Sequence, residues 1–214
     1  MRKILKAVEP ESVTQWKAQA NDDWQPSYAT LQNPQKRDLH LSLLNEQGHL
    51  CCYCGRRIGP EDSHVEHFRP QELFQTLELD YENLHASCIR QKNPGSPLHC
   101  GHHKGNWFEE HLHISPLEEA CEERFSYLLT GEIQSAKETD PAAVKMIEVL
   151  ALDIPYLNNR REEAIIRMFD NAFLEAMSDD ELLYLMSALR ALPPSQQNPF
   201  DHVLARFAQQ LLPE

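Results

Sequence analysis

Residues 51–58 read CCYCGRRI, 64–70 read HVEHFRP, 81–88 read YENLHASC and 99–106 read HCGHHKGN. The rest of the chain is organised around this stretch. Cys51 and Cys54 form a C-x-x-C turn followed by Gly55, which can aim two thiolates at one tetrahedral ion. Cys88 and Cys100 are the natural second pair, although they are not tightly spaced, and His99 is an alternative donor. A structural Zn2+ is therefore expected on Cys51, Cys54, Cys88 and Cys100. Cys52 and Cys121 are expected to be ordinary buried thiols.

Glu66-His67 is the candidate reaction centre. A neutral imidazole at a strand end can take a proton from water attacking phosphorus. The adjacent carboxylate can hold a hard divalent cation, Mg2+ or Mn2+, which stabilises the leaving oxyanion. Asn83 is expected to orient His67 through its side-chain carbonyl. His102 is expected to complete the cation site with Glu66, with His103 as the fallback. Arg69, Arg90 and Lys104 are candidate phosphate contacts, while Trp107 and Phe108 are expected to pack beneath the site. His64 with His67 could instead form a zinc pair.

Outward from this stretch, the chain reads as mostly helical. Residues 10–21 predict a short helix with Val13, Trp16 and Ala20 on one face, and 22–34 a loop. Lys36 to Gln47 predicts a helix capped by Gly48. Residues 64–69 and 77–81 predict two short strands. Helices are expected over 142–152 and 158–177, the second with Ile165, Phe169, Phe173 and Met177 every fourth residue. Ser178 with Glu181 forms a capping box for the next helix, ended by Pro193-Pro194. Asn198-Pro199 is expected to open the last helix, whose stripe includes Phe200, Val203, Leu204 and Phe207. The organisation expected is a helical lead-in (1–48), a nuclease core (49–115) and a C-terminal helical, partner-docking region (116–214).

The 214 residues suffice for a sizeable core and carry a net charge of −13. Residues 1–110 contribute −3 and residues 111–214 contribute −10. The acidic half is expected to face away from nucleic acid or towards a basic partner. No apolar run has membrane-spanning length and the start lacks a secretory pattern, so a cytoplasmic protein is expected.

The order of C-x-x-C, E-H-F-R-P, Asn-Leu, Cys and C-G-H-x-K-G resembles the HNH branch of the ββα-metal (treble-clef, His-Me finger) nucleases. EQGHLCCYCGRRI, ISPLEEACEERFSYLLTGEI and Asn158-Asn159-Arg160-Arg161 extend the likeness to the HNH component (PtuB) of Septu-type antiphage systems and to retron accessory effectors. The resemblance implies an α+β, zinc-stapled endonuclease. His67 would be its general base, Asn83 the orienting residue, and Glu66 with His102 its catalytic-metal site. The implied partners are a DNA substrate and a PtuA-like ATPase. A retron reverse transcriptase with its RNA-DNA product would join them in a retron setting. Glu66 stands where many HNH enzymes have Asp, and the segment from Cys88 to Cys100 replaces a tight second pair. The alternative is a zinc-stapled nucleic-acid- or protein-binding adaptor with an inactive site. A zinc peptidase would need H-E-x-x-H on a helix, which the sequence lacks.

Overall fold

The computed structural model describes residues 1–89, 91, 94–170, 174 and 177–213. Among them the architecture is α+β, with seven α-helices and two two-stranded antiparallel sheets. The first two helices are α1 (Glu11–Lys17) and α2 (Gln35–Glu46). Helix α1 stops short of the expected Ala20. Helix α2 buries Leu39, Leu43 and Leu44, and Gly48 follows it at φ 62, where a Cβ would collide with the Pro194 carbonyl.

Strands β1 (Ser63–His67) and β2 (Leu84–Cys88) pair antiparallel, with Glu66 opposite His85 and His67 opposite Leu84. The second strand was expected at 77–81, and the structure corrects this. Asp80 accepts the Glu82 N–H and starts a 3-10 turn over Tyr81–Asn83, so 77–81 belongs to the loop joining the strands. All five residues of β2 are buried, so LHASC shows no inside–outside alternation. Helix α2 packs on this sheet, and the one-turn α3 (Gly101–Lys104) lies against β2.

A second hairpin, β3 (Phe125–Tyr127) with β4 (Ile133–Ser135), was not anticipated; three residues per strand are too few for a period to show. Asp140 caps α4 (Pro141–Val149) by accepting the Ala143 N–H. Helix α5 spans Pro155–Met168 and stops earlier than the expected Met177: Phe169 leaves the helical region at φ -116, ψ 63, while residues 171–173, 175 and 176 of the expected helix lie outside the described residues. Helix α6 (Asp179–Ala191) starts on the predicted Ser178–Glu181 capping box. The last helix, α7 (Asp201–Gln210), begins later than Asn198-Pro199 suggested: Phe200 takes φ 69, and the Asp201 side chain accepts the Asn198 N–H.

One apolar cluster includes Met1, Leu43, Tyr53, Leu84, Phe125, Ile165 and Phe207. No helix among the described residues is long and apolar enough to cross a membrane.

Candidate metal centre and active site

The C-x-x-C turn is fixed by backbone bonds before any ion is considered. Cys51 N–H donates to Arg56 O at 2.8 Å, Gly55 N–H to Cys51 O at 3.0 Å and Ile58 N–H to His49 O at 2.8 Å. Gly55 sits at φ 72, directly under the His202 ring of α7, so a side chain there would meet that imidazole. On the far side, Cys88 ends β2 and Cys100 precedes α3. Cys100 N–H donates to Leu150 O at 2.7 Å, and the His103 ring donates to Val149 O at 2.8 Å. The end of α4 thus satisfies its own carbonyls by holding the last cysteine.

The sulfurs of Cys51, Cys54, Cys88 and Cys100 lie within 4.8 Å of one another, all buried. The Cys54–Cys88 and Cys88–Cys100 sulfur separations are 3.6 Å. A tetrahedron of Zn–S bonds of ~2.3 Å has edges of about 3.8 Å, so the donor set fits Zn2+. His99 Nδ1 lies 3.1 Å from the Cys100 sulfur, beside the four-cysteine group rather than within it. Cys52 and Cys121 are also buried and free, outside that group. Among the described residues this is the one group of three or more such donors close enough to share an ion.

Glu66 is the centre of a buried polar network. Its Oε1 accepts from the Tyr53 hydroxyl at 3.0 Å and pairs with Lys104 Nζ at 2.9 Å, while its Oε2 faces His64 Nε2 at 3.2 Å. Burial alone would raise the Glu66 pKa. The Lys104 charge and the His64 contact outweigh it and hold the carboxyl at about 2. The site therefore contains a permanent carboxylate.

Lys104 departs from expectation. Its side chain is 1% exposed, and besides Glu66 it donates to His67 O at 3.0 Å and Phe68 O at 3.2 Å. It braces the end of β1 from inside and does not reach out to phosphate. Lys104→Met should leave the Glu66 charge buried without its partner and cost ~3–5 kcal/mol in urea unfolding. A loss below ~1 kcal/mol would mean that water or an ion already compensates Glu66.

His67 Nε2 meets Glu78 O at 3.0 Å. A carbonyl only accepts, so Nε2 carries the hydrogen and Nδ1 keeps its lone pair. The ring also stands edge-on to Tyr28 at 4.5 Å, and burial lowers its pKa, favouring the neutral form. Asn83 does not bond this ring as expected. Its carbonyl accepts the Arg69 N–H at 2.7 Å, and its amide donates to Arg69 O at 3.0 Å and Leu77 O at 3.1 Å. Asn83 therefore staples the loop that carries Glu78, whose carbonyl meets the His67 ring.

The His102 ring lies 4.5 Å from that of His64. Arg69 remains at the surface, paired with Glu110 at 2.9 Å and lying over the Phe74 and Phe108 rings. Arg90 lies outside the described residues. Trp107 and Phe108 both stack on His113, which also stands edge-on to Phe68, the residue after His67.

Tyr53 and His64 are the residues the sequence reading undervalued. Tyr53 looked like a turn residue, yet it is fully buried and reaches Glu66. His64 and Glu66 are two apart on a strand, so they share a face. That spacing was the available signal.

His85 is fully buried opposite Glu66, with neither ring nitrogen hydrogen-bonded. Burial pushes its pKa down to about 3, whereas an unfolded histidine titrates near ~6.5. Between these values the unfolded chain binds a proton that the folded chain refuses, so stability is complete above ~6.5 and falls as pH falls. His85→Leu should reduce the slope of unfolding free energy between pH 6 and 5 by about 1.4 kcal/mol per pH unit. Denaturant titrations at several pH values measure it, and an unchanged slope would show that His85 is hydrated.

These features place four cysteines that could hold a metal ion beside a carboxylate–histidine contact on a two-stranded sheet. Two relatives carry the HNH name. The chain is 27% identical over 140 residues to the "Retron Vc95 putative HNH endonuclease" of Vibrio cholerae serotype O1 biovar El Tor, covering 62% of this chain and 66% of that protein, just under two thirds of its length. It is 26% identical over 214 residues to the "Retron Ec83 putative HNH endonuclease" of Escherichia coli, covering 82% of this chain and 83% of that one. No protein-family model matches the chain.

Proposed function

We propose that the chain is a metal-dependent HNH endonuclease that hydrolyses phosphodiester bonds in DNA. Its ββα-metal core would be β1, β2 and α3, stapled by Zn2+ on the four cysteines. The observation that carries this reading is the end of β1: a carboxylate kept ionised, followed in the chain by an imidazole whose Nε2–H is tied to Glu78 O. His67 Nδ1 is left to accept the proton of an attacking water. Glu66 contributes the negative charge that draws a divalent cation, with His102 nearby at the rim. A bound Mg2+ or Mn2+ would supply charge stabilisation to the leaving oxygen. Arg69 is the surface cation available to a flanking phosphate.

Both relatives carry "Retron" in their names, which supports a retron setting for such a nuclease. On this reading the chain is a defence effector, and the likeness to Septu-type HNH components adds an ATPase as partner. The charge of −10 on residues 111–214 supports docking of a basic partner on the C-terminal region, away from the substrate. The test is incubation of zinc-loaded protein, alone and with its ATPase, with plasmid DNA. Nicking with Mn2+ or Mg2+ that EDTA abolishes is expected; cleavage by neither preparation would refute the reading.

A further inference from the structure

We propose that His64 is the nitrogen ligand of the catalytic cation, which sits between His64 Nε2 and Glu66 Oε2 and is Mn2+ in preference to Mg2+. The cation's use in hydrolysis rests on the nuclease reading above; the site itself does not.

The tautomer of His64 is set by the backbone. Its Nδ1 lies 2.6 Å from Ile89 O, which can only accept, so Nδ1 carries a hydrogen and Nε2 is the nitrogen left to take a proton or a metal ion. Nε2 faces Glu66 Oε2, 3.2 Å away. An imidazole nitrogen and a carboxylate oxygen so placed share a positive charge, either the proton of an ion pair or a metal ion. An imidazole with its second nitrogen tied to a backbone carbonyl is the usual support of a metal-binding histidine.

Glu66 is prepared from the other side. Lys104 and Tyr53 both engage Oε1, which leaves Oε2 for the ion and fixes the plane of the carboxylate. Gly101, the first residue of α3, keeps the space open. A Cβ there would collide with Glu66 Oε2 and stand 3.0 Å from His64 Nε2. The His64 side chain is 23% exposed, so the gap lies at the surface end of the network and an ion can enter.

Two protein donors leave the remaining positions to water and phosphate oxygens, as hard cations in hydrolytic sites require. Mg2+ prefers an all-oxygen shell, and an imidazole shifts affinity towards Mn2+ and the later first-row metals.

The test uses the zinc-loaded full chain and Mn2+ itself as probe, followed by the electron paramagnetic resonance of free and bound ion, with Mg2+ as competitor. His64→Ala should weaken Mn2+ binding at least tenfold, remove most of the nitrogen coupling to bound Mn2+, and erase the preference over Mg2+. His64→Gln, which restores bulk and a polar group, should recover Mg2+ but not the Mn2+ preference. Glu66→Gln should weaken both ions. Unchanged Mn2+ affinity and nitrogen coupling in His64→Ala would overturn the proposal and leave the pair as an ion pair only; so would a wild-type chain that binds no Mn2+. The expected binding pattern without any cleavage of DNA would uphold the site and defeat the nuclease reading. Metal-dependent cleavage with His64→Ala binding Mn2+ as before would do the reverse.

Discussion

Replacement of Cys51 by serine is expected to abolish zinc binding and with it the folded state of the central segment. Zn2+ held by four thiolates contributes on the order of 10–16 kcal/mol, comparable with or above the whole stability of a typical domain, roughly 5–15 kcal/mol. The four cysteines join elements that are otherwise distant in sequence: the turn after α2, the end of β2 and the start of α3. Cys52→Ser is the control. Cys52 is equally buried and adjacent, but its sulfur lies outside the cluster. Its substitution should keep zinc and cost only ~1–2 kcal/mol, as for other small changes to a buried group. Metal analysis and thermal unfolding with and without chelator separate the two. A Cys51→Ser protein that retains its zinc and its melting temperature would exclude the metal staple.

The second large effect belongs to His67. On the proposed reading, His67→Ala removes the general base and should lower DNA cleavage by 10²–10⁴-fold or more, with zinc content and unfolding midpoint kept. The imidazole must be unprotonated to work, so activity should be lost as pH falls through its pKa. Burial sets that pKa below the ordinary histidine value, so the rate should already be level at neutral pH. Single-turnover cleavage across pH 5 to 8 measures this profile. Full protection against phage by the His67→Ala chain would instead favour an adaptor with an inactive site.

The parts of the molecule legible in its sequence are those set by short-range rules. C-x-x-C marked the first half of the metal centre, and Ser178 with Glu181 marked the start of α6. Cys88 and Cys100 were legible only as residues left to complete a set of four. Their juxtaposition depends on β2 ending where α3 begins, a tertiary fact. Strand β2 was misplaced because burial on every side removes alternation, the one signature a short strand has. Lys104 was misread because exposure is the default for lysine, and a buried carboxylate opposite it overrode that default. Asn83 was expected on the His67 ring but bonds the loop instead, since its amide and carbonyl match two backbone groups of Arg69.

Tyr53 lies between two of the four clustered cysteines, and its hydroxyl donates to Glu66. A newly made chain would therefore acquire its reactive geometry only once the sulfurs have captured their ion, because the same turn delivers both. For a protein proposed to cut DNA, metal supply would then act as a safeguard, since a copy without its ion would lack that geometry.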